Sequence, residues 1–117
     1  MFRETLEKIV DNCDGAVAAV LMGFDGIAVE IVSRDEEVDV QTLAMEFSFV
    51  LTQVRKAAEI LDVGTLQEVS IRSDRLIFVV RVLSEDYFVA LAMKPTANYG
   101  KGRFLMRISV SDLRSQL

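Results

Sequence analysis

The stretch from Arg75 to Leu83 carries Leu76, Phe78, Val80 and Val82 at one parity and Ile77, Val79 and Leu83 at the other. Successive side chains of a β-strand point to opposite faces, so a strand with this pattern has to be covered on both sides. The runs Ala16–Met22 and Tyr87–Met93 are also apolar at both parities. Three such strands are incompatible with a sheet that has one wet face. They belong in the middle of a sheet with helices layered over both faces.

Two further runs read as the edges of that sheet. Thr65–Ser73 alternates, with Val69 and Ile71 inward and Glu68, Ser70 and Arg72 outward, and Ile27–Val32 carries Glu30 on one face. The Asp25-Gly26 pair between two β-prone runs is a hairpin signal, and short polar turns at Ser73-Asp74 and Ser84-Glu85-Asp86 join the last three strands into a meander. Hairpin adjacency then gives a five-stranded antiparallel sheet in the order 2-1-5-4-3.

The covers are three helices. Phe2, Leu6, Ile9, Val10 and Cys13 follow the spacing of one helical face, closed by Asp14-Gly15. Val40 to Leu61 is free of Pro and Gly and reads as a long helix with Gly64 as its C-terminal cap. At 100° per residue, Leu43, Ala44, Phe47, Val50, Leu51, Val54, Ala57, Ala58 and Leu61 fall within one arc of about 140°, expected to face the core. The last helix begins near Asn98, a good N-cap after Pro95, and Ser111 leaves open a break and restart there. The long helix is expected on one sheet face and the two terminal helices on the other. The fold class is therefore α/β in the α+β sense, and a length of 117 residues accommodates one domain, residues 1–117.

Composition limits what such a domain does. Thirteen Lys and Arg against eighteen Asp and Glu leave a net charge of −5, which disfavours nucleic acid and anionic membranes as partners. One cysteine and no histidine remove an internal disulfide and most zinc chemistry, and favour a reducing, cytoplasmic address. Charges run through the first eight residues, where a secretory signal would need an apolar core, and no apolar run approaches the roughly 20 residues of a membrane span.

Candidate chemistry is sparse. Gly100-Lys101-Gly102 lacks the spacing of a phosphate-cradling loop, and its small residues suit close packing of a helix start on the sheet. Cys13 lies on the apolar stripe of the first helix with no histidine to activate it, which reads as a buried structural thiol. Asp35, Glu36, Glu37 and Asp39 form a solvated loop run. Arg34, Arg75 and Arg103 are each capable in principle of acting in trans on a GTPase, but nothing singles one out. No catalytic residue, cofactor site or metal ligand is assigned.

What remains is surface. Met45, Phe49 and Ile60 share the outer arc of the long helix with Thr42, Gln53 and Lys56. An aromatic flanked by Met and Ile on one helical line is suited to seating a partner. The edge strand, with Glu68, Ser70 and Arg72, adds backbone groups that a second subunit can continue. Both features predict self-association through these nine residues.

The order helix, hairpin, long helix, three-stranded meander, helix resembles the Roadblock/dynein-light-chain family over the whole chain. The residues that carry the resemblance are Gly15 to Val20, Met22 to Glu30, Tyr87 to Leu91 and Asn98 to Arg103. Within the family the chain is most similar to the bacterial Mgl-type roadblock proteins, and the Met22–Gly26 turn with the Asn98–Arg103 segment resembles the MglC branch in particular. The resemblance implies a roadblock/profilin-like fold and a homodimer built on the long helices and third strands, with no active site of its own. It implies a noncatalytic regulator or adaptor in a polarity or gliding-motility module, binding another roadblock protein of the MglB type and, through it, a Ras-like small GTPase. For an activator of the MglB type the resemblance implies reorganisation of the GTPase without a donated arginine. The alternatives are a direct GTPase-activating subunit of that type and a small-ligand sensor of profilin-like architecture.

Overall fold

A computed structural model describes residues 1–117. The elements are α1 (Phe2–Asp11), β1 (Ala16–Gly23), β2 (Ala28–Ser33), α2 (Val40–Leu61), β3 (Glu68–Arg72), β4 (Ile77–Val82), β5 (Tyr87–Met93) and α3 (Tyr99–Gln116). The five strands form one antiparallel sheet in the order β2-β1-β5-β4-β3, as the parity of the strands predicts. The central three strands are those buried on both faces, and the two edges are the strands with alternating or interrupted patterns.

Two cores lie on opposite sides of this sheet. On one side α1 and α3 bring Leu6, Ile9, Val10, Met106, Val110 and Leu113 against Leu21, Val79, Leu91 and their neighbours. On the other, α2 lays Val40, Ala44 and Leu51 against Val20, Met22, Phe78, Val80 and Phe88. The α1–α3 side is also locked at its rim. Arg34 pairs with Glu7 and Asp11 at 3.0 and 3.1 Å, and Arg3 reaches the Ile31 carbonyl at 3.1 Å, which ties α1 to the β2 edge.

Several expectations are corrected in detail. The apolar arc of α2 is not all core: Val50, Ala57 and Leu61 are exposed, and the face against the sheet is narrower, built on Val40, Ala44, Ser48 and Leu51. Small residues at 44 and 48 let the helix sit close to the sheet, and the buried Ser48 hydroxyl is satisfied by donating to the Met45 carbonyl at 2.6 Å. The helix ends with Asp62 at φ 53°, not at Gly64, because Asp tolerates the left-handed region that closes a helix. The chain from Val63 to Gln67 crosses from α2 to the sheet, so β3 starts at Glu68 and not at Thr65. No break occurs at Ser111, since α3 is continuous. The β1–β2 connection is a four-residue loop, with Gly26 at φ 86° and the Asp25 carboxylate accepting from the Ile27 N–H at 3.1 Å.

Candidate interaction surface

Beside its sheet-facing stripe α2 carries a second apolar line, whose N-terminal residues Leu43 and Phe47 still pack on the sheet core and whose later positions turn toward solvent. Leu43, Phe47, Val50, Val54, Ala57 and Leu61 are spaced 4-3-4-3-4, the repeat of a helix that packs along another helix. Leu43, Phe47 and Val54 are half-buried, whereas Val50 is 48% and Leu61 70% exposed. Beside this seam stand Phe49 at 65% and Ile60 at 83% exposure. A 22-residue helix is about 33 Å long, and one sheet face covers only its narrow inner stripe. The seam residues were legible in the sequence as a heptad. The arc of about 140° expected to face the core holds two faces, a sheet-facing stripe and a second one beside it.

Each residue expected at the interface has a definite place. Thr42 completes the N-terminal cap: its N–H and hydroxyl both donate to the Asp39 carboxylate, at 3.1 and 2.7 Å, which holds that carboxyl below its ordinary range. Met45 packs toward the β1–β2 loop, its Cγ lying 3.3 Å from where a Cβ on Gly26 would be. Gln53 and Lys56 are exposed on the same outward face as Phe49 and Ile60.

The β3 edge is open, since β3 pairs only with β4. The side chains of Glu68 and Ser70 are already engaged. Arg103 donates to both Glu68 carboxylate oxygens at 2.7 and 2.6 Å, and the Tyr99 hydroxyl donates to Ser70 Oγ at 2.9 Å. The bidentate guanidinium holds the Glu68 carboxyl below its usual range. Arg72 is exposed. What the edge offers is therefore its backbone, with Val69 and Ile71 on the α2 side of the sheet, half-buried against the same core as Leu43 and Phe47. The seam and the edge together leave one core incompletely covered.

The remaining candidates carry no chemistry of their own. Cys13 is buried and its thiol is pushed up by that burial. Gly102 sits where a Cβ would come within 2.6 Å of the Met93 sulfur, so it serves close packing of α3 on β5, whereas Gly100 is exposed. Of the three arginines, Arg34 is committed to Glu7 and Asp11 and Arg103 to Glu68, while Arg75 stands exposed in a turn. In the acidic loop Asp35 accepts from the Glu37 N–H at 3.0 Å. No three Cys, Asp or Glu side chains converge in a way that suits a metal ion, and no helix is long and apolar enough to cross a membrane.

The crystal structure of MglC from Myxococcus xanthus is 42% identical in sequence to this chain, which covers 98% of it with 99% of its own length, at a TM-score of 0.73. The chain belongs to the Mgl-type roadblock family. Other roadblock proteins share its fold at lower identity. The roadblock/LC7 domain from Streptomyces avermitilis is 18% identical with a TM-score of 0.85, covering 97% of this chain and 94% of its own. The gliding protein MglB from Thermus thermophilus is 21% identical with a TM-score of 0.85, covering 97% and 85%. No family model and no curated protein sequence matches the chain. Among Mgl-type roadblock proteins, then, the exposed seam of α2 and the open β3 edge are the features on which a function has to be built.

Proposed function

We propose that this Mgl-type roadblock protein is a noncatalytic, dimeric regulator that acts as an adaptor in a Ras-like small-GTPase polarity or motility module, binding another roadblock protein of the MglB type. The observation that carries the reading is the α2 seam. Of six apolar positions at heptad spacing, Val50, Ala57 and Leu61 face water and Leu43, Phe47 and Val54 are only half-covered, with Phe49 and Ile60 exposed on the neighbouring face. Burying apolar area is worth about 25 cal/mol per Å², so a surface of this kind favours a second subunit over solvent. An antiparallel α2 pair flanked by β3 edges would cover Val50, Val54 and Leu61 and satisfy the free backbone of Glu68–Arg72 at the same time. Thr42, Met45, Phe49, Gln53, Lys56 and Ile60 would rim that contact or meet the second roadblock protein.

The test is GTP turnover by the cognate Ras-like GTPase, measured with an MglB-type protein alone, with this chain alone and with both. An adaptor changes turnover only when the MglB-type protein is present. A rise with this chain alone would replace the reading with that of a direct GTPase-activating subunit. Calorimetric titration of the isolated protein with GTP and magnesium is expected to show no saturable binding tighter than about 100 μM, a weak ligand affinity by any scale.

A further inference from the structure

On the sheet face opposite α2, three guanidiniums gather around one carboxylate. Arg81 on β4 lies directly across the strand pair from Glu68, Arg103 and Arg107 project from successive turns of α3, and all four line a hollow of about 200 Å³ with Gly100 and Phe104. Both oxygens of Glu68 are taken by Arg103. Arg81 and Arg107 have neither an ion pair nor a hydrogen bond to the protein, so the cluster holds two positive charges more than it neutralises, on a chain whose net charge is −5. Arg103 lies over the Tyr99 ring at 5.6 Å and Arg107 over the Phe104 ring at 5.8 Å. Stacking of this kind fixes a guanidinium while leaving its donor edge free. The next hollow along, an open groove of about 1010 Å³ toward the C-terminal end of α3, shares Arg81 and Arg107 but is mixed in charge, since Glu59, Asp62 and Glu85 also line it.

We propose that this β4–α3 seam is a docking site for an acidic segment of a partner protein, whose carboxylates enter between Arg81 and Arg107 while an apolar side chain lies across Phe104 and Ile108. The charge surplus selects an anion, and unpaired arginine forks match carboxylate geometry. Phe104 and Ile108, one turn apart and 49% and 54% exposed, select a peptide over a small inorganic anion, which would gain nothing from them. Arginine and aromatic side chains are also the residues that most often carry binding energy at protein interfaces. Arg81, Arg107, Phe104 and Ile108 lie on the sheet face opposite the α2 seam, and only Glu68, at the rim of the site, belongs to the β3 edge.

The experiment uses the whole protein and a fluorescein-labelled peptide of alternating glutamate and leucine, followed by anisotropy and by amide chemical shifts. Saturable binding is expected, with shifts centred on β4 and the first half of α3. Arg81→Gln combined with Arg107→Gln should weaken it at least about tenfold, the loss expected when hydrogen bonds between charged groups are removed. Lys8→Gln combined with Arg75→Gln, an equal loss of charge at exposed positions elsewhere, should leave it within about twofold. Should the double variant at the site fail to fold, Arg107→Gln alone, at an exposed helix position, is expected to give a smaller loss in the same direction. No saturable binding, equal loss in both pairs of variants, or unchanged binding in the site variants would overturn the proposal. So would displacement of the peptide by inorganic phosphate at equal concentration, which would mark a small-anion site.

Discussion

Phe49 and Leu51 are two positions apart on one helix and lie in opposite environments, the first 65% exposed and the second fully buried. Leu51→Ala should cost about 2–5 kcal/mol of stability, the range for emptying a leucine-sized space in a core. Phe49→Ala should leave stability within about 0.5 kcal/mol, as surface changes do, and weaken self-association or partner binding instead. Phe47, half-buried with its ring 5.1 Å from that of Phe78, should lose both when truncated. Denaturant melts beside sedimentation of each variant separate the three. At the same scale, Glu68 carries the tie between β3 and α3. Its carboxyl is held below the ordinary 4.5, so its contribution is fully present above that pH and is lost as pH falls through the lower, folded-state value. Glu68→Gln should therefore lower the melting temperature by a few degrees at neutral pH, and the gap between variant and parent should close in thermal melts taken progressively below about pH 4.5.

Among the elements, the strands were the most legible and α2 the least. Parity alone places β1, β4 and β5 centrally, because a strand with Phe78 and Val79 at adjacent positions has no acceptable exposed face. A helix gives no such binary signal. Leu43, Phe47, Val50, Val54, Ala57 and Leu61 look like core by composition, and only their 4-3-4-3-4 spacing distinguishes a seam for another helix from the sheet-facing stripe of Val40, Ala44, Ser48 and Leu51. Long-range pairs were not legible at all: Glu68 with Arg103 and Arg34 with Asp11 join residues far apart in sequence, and either could equally have been a free surface charge. The connection from α1 to β1 gives a prediction at this scale. Gly15 has φ 87°, and a Cβ there would come 2.6 Å from the Ala97 Cβ and 2.8 Å from its Cα. Gly15→Ala should destabilise by about 1–3 kcal/mol in a chemical melt, since it combines left-handed strain with overpacking against backbone.

Taken whole, the molecule buries one core thoroughly and the other incompletely. The α1–α3 side is closed by two helices and by the ion pairs of Arg34 and Arg103, whereas the α2 side leaves Val69, Ile71, Leu43 and Phe47 half-covered beside an open strand edge. A protein organised in this way has its binding capacity in surfaces, which fits the adaptor role proposed for this member of the roadblock family. The direct measurement is mass in solution by light scattering after size exclusion, for the parent chain and for Val50→Glu, which places a charge in the middle of the α2 seam. If α2 seams pair, the parent runs at about twice the 13.1 kDa chain mass at micromolar concentration and the variant as a folded monomer. A parent chain that stays monomeric at high concentration, or a variant that remains as dimeric as its parent, would contradict such pairing.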